Sequence, residues 1–132
     1  MGIEQEAAVR SFIVGFEGKR LDAAQVERIV GRMTPNARYH VFAWEQPFVG
    51  RDAIRTELLR QAEFYGDTRF EILTIASVGQ TVFVERRDSC TMNGKQVTFH
   101  VVGVFEVDGD GKIAAWRDYL DSREIAVKVG AK

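Results

Sequence analysis

Helices first, then a run of antiparallel strands: the sequence predicts an α+β fold. Three observations carry this reading. Apolar residues recur at helical spacing in the first half of the chain. The second half holds four consecutive stretches rich in Val, Ile, Phe and Thr. Turn residues separate those stretches, Asn93-Gly94 foremost among them.

The elements follow in order. Val9, Phe12, Ile13 and Phe16 stand at i, i+3, i+4 and i+7, one apolar face of a first helix. Val26, Ile29, Val30 and Met33 repeat that spacing in a second, and Thr34-Pro35-Asn36 breaks the pattern. Residues 37–43 are aromatic and β-branched, which predicts a short strand. A loop around Glu45-Gln46-Pro47 leads to Gly50, and Ile54, Leu58, Leu59 and Ala62 form a third helix ending near Gly66. Strands are expected over 69–78, 81–92, 96–107 and 112–121, with a short closing helix from Ser122.

Length and composition bound the rest. The 132 residues suit one domain, 1–132, with a core that needs neither disulfides nor metals. Apolar residues make up 45% and charged residues 28% of the chain, as in an ordinary globular protein. With 18 basic and 19 acidic residues the net charge is −1, and no basic stripe points to nucleic acid or a membrane surface. Cys90 is the single cysteine, so no intramolecular disulfide forms. Nothing resembles a signal peptide or a membrane span, and a reducing, cytoplasmic setting is the expectation.

The face on which the strand charges lie decides the functional reading. Asn93-Gly94 makes a two-residue type I′ turn that sets Met92 opposite Lys95. Counting back, Asp88 faces Phe99, Arg86 faces Val101 and Val84 faces Gly103. Phe99, Val101 and Phe105 make that side the core face, so Arg86 and Asp88 point inward. A four-residue loop over 108–111 would pair Val107 with Lys112 and put Asp118 opposite Val101, in one row with Arg86. The result is carboxylate, guanidinium, carboxylate on the inner face of a sheet. Buried charges of this kind are costly unless paired, and coupled titratable groups in an apolar site mark a functional candidate. A purely structural ion cluster is the alternative.

Other residues say less. His100 falls on the outer face, and the face of His40 is undetermined. No His/Cys/Asp/Glu spacing suggests a metal site, and Cys90 has no evident base beside it. Gly109-Asp110-Gly111 reads as a turn rather than a phosphate loop. Trp44, Phe48, Phe64 and Trp116 are candidates for a pocket wall, with plain core as the alternative.

Three stretches are the most specific: Glu85-Arg86-Arg87-Asp88, Gly103-Val104-Phe105-Glu106, and Gly111-Lys112-Ile113 running into Trp116-Arg117-Asp118-Tyr119. On them the chain resembles, over almost its whole length, the limonene-1,2-epoxide hydrolase family. That family shares the cystatin-like cone of nuclear transport factor 2, ketosteroid isomerase and the SnoaL-like proteins. Gly50-Arg51-Asp52-Ala53 is typical of the wider superfamily.

The resemblance implies a curved, mostly antiparallel sheet packed against the N-terminal helices. It implies one-step addition of water to a cyclic or terpene-like epoxide, without metal or organic cofactor. Asp118 matches the general base, Asp88 the general acid and Arg86 their bridge. The family holds its water with a Tyr and an Asn two residues apart: Tyr39 matches the first, but Val41 stands at the second, leaving Gln46 and His40 as stand-ins. Val41, Trp44, Phe48, Phe99, Val101 and Trp116 form the expected substrate wall. The competing readings are an isomerase or cyclase on the same fold, which would use a lone carboxylate or a His-Asp pair, and a non-catalytic binder of an apolar ligand. The expected partners are an epoxide, water and a second copy of the chain. That copy would be held partly through Phe83, Val102 and Val104 on the outer sheet face.

Overall fold

The structure is a computed structural model that describes residues 2–130. Its elements are α1 (Ile3–Val14), α2 (Ala23–Gly31), β1 (Met33–His40), β2 (Phe48–Val49), α3 (Arg51–Gln61), β3 (Gly66–Val78), β4 (Thr81–Met92), β5 (Lys95–Val107), β6 (Ile113–Tyr119) and α4 (Ser122–Lys128). Six strands form one mixed sheet in the order β2-β1-β6-β5-β4-β3. The α+β expectation holds, with one change: β1 returns to pair parallel with β6, so the sheet is not a pure meander.

Helices α1 and α2 form where an apolar stripe meets the core. Val9, Phe12 and Ile13 of α1 are buried, and so are Val26, Ile29 and Val30 of α2, whose N-cap Asp22 accepts from Gln25 N–H. The edges differ from the sequence expectation at β1. Met33 lies in the strand, not in α2, and β1 runs through Thr34-Pro35-Asn36. The parallel register is irregular between Met33 and Arg38, where Pro35 has no ladder N–H to contribute. In α3, Leu59 is 38% exposed, and Glu57 takes an inward position beside Ile54 and Leu58.

The β4–β5 hairpin has the register read from its turn, Met92 with Lys95 through Thr81 with Glu106. Asn93 and Gly94 both have positive φ, 50° and 75°, as a type I′ turn requires. Burial then alternates along β4, with Val82, Val84, Arg86, Asp88 and Cys90 all inward. The next turn departs from expectation. Asp108 Oδ1 accepts from the N–H groups of Asp110 and Lys112, which draws Lys112 into the loop. Val107 therefore pairs with Ile113, one residue beyond the expected Lys112. That shift alone would turn Asp118 outward. A bulge at Ala114, between the pairs Val107–Ile113 and Glu106–Ala115, adds a second residue and restores the parity. Asp118 faces inward after all, but opposite Gly103 instead of Val101.

Candidate active site

The inner face of the curved sheet and the inward faces of α3 and the β1–β2 loop enclose a cavity of about 360 Å³. At its base lies the charged cluster. Arg86 is 1% exposed, and its guanidinium holds both aspartates. Nε and Nη2 donate to Asp88 Oδ1 and Oδ2 at 2.9 and 2.8 Å. Nη1 and Nη2 donate to Asp118 Oδ1 and Oδ2, both at 3.1 Å. The Phe70 ring lies under the guanidinium, its centroid 4.9 Å away.

The bridge runs from β4 to β6 across β5, and Gly103 is what lets it pass. A Cβ there would sit 2.6 Å from Arg86 Nη1 and 3.1 Å from Asp118 Oδ1. Trp116 supplies a further fixed donor: its Nε1–H reaches Asp118 Oδ1 at 2.7 Å. Its ring is stacked between Tyr39 and Phe105, at centroid distances of 4.3 and 5.7 Å. Asp118 thus accepts three hydrogen bonds from two side chains.

The electrostatics separate the groups. Burial of Asp88 raises its pKa above the ordinary carboxylate value; Arg86 opposes this and the negative charge of Asp118 adds to it. Burial works against the Arg86 charge, but Asp118 and Asp88 outweigh it and keep the guanidinium protonated. Burial, helped by Asp118, pushes the Tyr39 phenol far up, so it stays a neutral O–H. Cys90 on the cavity wall is pushed up to about 11 by burial and by Asp88, the opposite of an activated thiol.

A second polar group, on α3, also lines the cavity. Glu57, 4% exposed, takes both Arg60 Nε and Nη2 at 2.8 Å. It also accepts from Gln61 Nε2 at 2.8 Å, and the same amide nitrogen donates to Tyr39 Oη at 3.2 Å. The hydrogen bond from Arg60 lowers the Glu57 pKa despite burial, so it is an ionised acceptor. Sequence reasoning missed both residues. The available signal was their spacing: Ile54, Glu57, Leu58 and Gln61 follow i, i+3, i+4, i+7, so two polar residues share the inward stripe of α3.

Of the expected substrate wall, Val41, Phe48, Phe99 and Trp116 line the cavity. Trp44 and Val101 do not. Trp44 is 62% exposed because the turn over 42–45 carries it past the mouth, where it stacks on Phe42, itself a wall residue. Val101 is 2% exposed, and the Arg86–Asp118 bridge crosses β5 beside it at Gly103. Phe64 is likewise outside the wall, exposed under the Arg60 guanidinium. Neither stand-in for the expected Asn reaches the cavity. Gln46 is exposed, and His40 is half-buried with Nδ1 on Glu45 O. On the outer sheet face Phe83 and Val102 are each 41% exposed, but Val104 is already buried within the single chain. His100 bonds Glu124 there, outside the site.

The family described as "Limonene-1,2-epoxide hydrolase catalytic domain" matches residues 3–129. The chain is similar to "Epoxide hydrolase EphG" of Mycobacterium tuberculosis (strain ATCC 25618 / H37Rv), 42% identical over 64 residues. Those residues span 48% of this chain and 42% of that protein, less than half of either. The fold is similar to a solved structure titled "Structure of an M.tuberculosis LEH-like epoxide hydrolase". The TM-score is 0.78 at 27% identity, covering 95% of this chain and 84% of the other.

Proposed function

Since the chain belongs to the limonene-1,2-epoxide hydrolase family, we propose that it adds water to a cyclic or terpene-like epoxide in one step, with Asp118 as base and Asp88 as acid. The observation that carries this is the single guanidinium shared by two buried carboxylates. Opening an epoxide needs a stronger nucleophile and a protonated leaving oxygen at the same moment. One carboxyl must then be ionised while its neighbour is neutral. The raised pKa of Asp88 suits it to the neutral role.

The balance is simple. Asp118 takes a proton from water as its oxygen attacks an epoxide carbon. The carbon–oxygen bond breaks, and the Asp88 proton goes to the released oxygen. Asp118 then gives up its proton and Asp88 regains one, so epoxide plus water becomes a vicinal diol with the protein unchanged. Both proton carriers are side chains of this chain, so the step calls for no metal or organic cofactor. Arg86 stays charged and keeps both carboxyls in place. The cavity is at the small end of ligand sites, which run from about 300 Å³ upward. Its wall is mostly apolar, with Phe16, Leu21, Phe42, Phe48 and Phe99. This favours a compact, apolar ring substrate.

Incubating the protein with a panel of cyclic epoxides in ¹⁸O-water tests the reading. Diol carrying one label from the solvent, formed at the same rate in EDTA, is the expected result. Diol formation that EDTA abolishes and zinc restores would refute the cofactor-free step. We further propose a homodimer through the outer face around Phe83 and Val102, where apolar side chains lie exposed. Sedimentation showing a monomer at micromolar concentration would overturn that.

A further inference from the structure

We infer that Gln61 holds the attacking water, its side-chain oxygen supplying the acceptor that Val41 lacks; this rests on the epoxide-hydrolysis reading above. A water that attacks carbon must give one hydrogen to the base and point one lone pair at the substrate. Its second hydrogen and second lone pair then need partners to hold it. Tyr39 can serve the lone pair. Its Oη already accepts from Gln61 Nε2, and its own O–H has no protein acceptor among the described residues.

The second hydrogen needs an acceptor, and few are open. Arg86 and the Trp116 indole only donate. Val41 on the wall offers no polar atom. Glu57 already receives Arg60 twice and Gln61 once. Among the side chains hydrogen-bonded around the Tyr39 hydroxyl, Gln61 Oε1 is left, on an amide that lines the cavity.

The orientation of that amide is dictated by its neighbour. Glu57, paired with Arg60, is an ionised carboxylate and can only accept. The Gln61 NH₂ must face it, so Oε1 is the end turned away from Glu57. The helix spacing of Glu57 and Gln61, i and i+4, makes this contact local to α3. Gln61 therefore comes to the water from the helix side, although the strand position at Val41 is apolar.

The experiment is steady-state kinetics of diol formation on purified full-length chain. Gln61→Leu should lower kcat about fivefold to tenfold, as loss of about one hydrogen bond in the transition state would, with KM changed less than about twofold. In a Tyr39→Phe background Gln61→Leu should cost a similar further factor, and adding Val41→Asn to Gln61→Leu should recover most of the loss. Gln61→Met, which keeps the length without the amide, repeats the test should the Leu variant fold poorly by circular dichroism.

A Gln61→Leu or Gln61→Met protein with normal kcat would overturn the inference. So would a loss that vanishes in the Tyr39→Phe background, since Gln61 would then act only by placing the tyrosine. Wild-type protein that forms no diol from any epoxide overturns the parent reading and this one with it. Diol formation that is indifferent to Gln61 overturns this one alone.

Discussion

Two carboxylate–guanidinium groups line the cavity, and the pKa shifts of Glu57 and Asp88 run in opposite directions. Glu57 has Arg60 to itself, in a two-pronged pair, and its pKa is lowered. Asp88 shares Arg86 with Asp118, and its pKa is raised. Exposure contributes to the contrast: the Arg60 side chain is 56% exposed, that of Arg86 1%. Burial is the main cause of the Asp88 shift; Arg86 opposes it, and the negative charge of Asp118 adds to it. A lone ion pair near water can anchor a side chain; on the reading proposed above, a shared, buried cation separates an acid from a base. The same two kinds of group, carboxylate and guanidinium, are shifted in opposite directions by their surroundings.

The contrast is broken most severely at the shared pair. Asp118→Asn or Asp88→Asn preserves shape but cannot exchange the needed proton. Each should cut diol formation by more than the 10²–10⁴-fold typical of one acid or base, since the two act as a unit. Near-normal turnover of Asp118→Asn would show that the base lies elsewhere.

Gly103→Ala attacks the bridge without touching a charge. The added methyl would meet Arg86 Nη1 at 2.6 Å and Phe105 Cε1 at 2.9 Å. Displacing the guanidinium should lower kcat on the order of 10²-fold and stability by about 1–3 kcal/mol. Calorimetry and kinetics on one preparation would read both.

pH should separate the two groups by sign. Asp88 is raised in the folded state, so its share of stability is present below its unfolded pKa and is lost as pH rises through the folded one. Activity should fall over the same rise, as the acid loses its proton, and a pH–rate profile without an alkaline limb would count against Asp88. Glu57 is lowered, so its share is present above the unfolded value near 4.5 and is lost as pH falls through the folded one.

The smallest effect belongs to the anchor. Glu57→Gln should cost about 1 kcal/mol at pH 7, modest because Arg60 is largely in water. The cost should shrink on acidification below pH 4.5. Urea melts at pH 7 and pH 3 would show it, and a cost that does not change with pH would mean the ion pair contributes nothing.

What the chain dictated locally was legible in the sequence. Helical spacing placed α1 and α3, and Asn93-Gly94 fixed every pair of the β4–β5 hairpin, because a two-residue turn with positive φ at both positions leaves one register. Hence Arg86 and Asp88 could be placed inward from sequence, and the parity of Asp118 came out right although its row did not. The Ala114 bulge, the parallel return of β1 and the outward swing of Trp44 are tertiary decisions. No local pattern encodes them, since a bulge or a crossover is chosen by what the whole sheet must bury. Glu57 and Gln61 were hidden for the same reason. On a helix surface they read as ordinary solvated polar residues, and only the neighbouring strand, with Tyr39 on it, makes them part of the cavity wall.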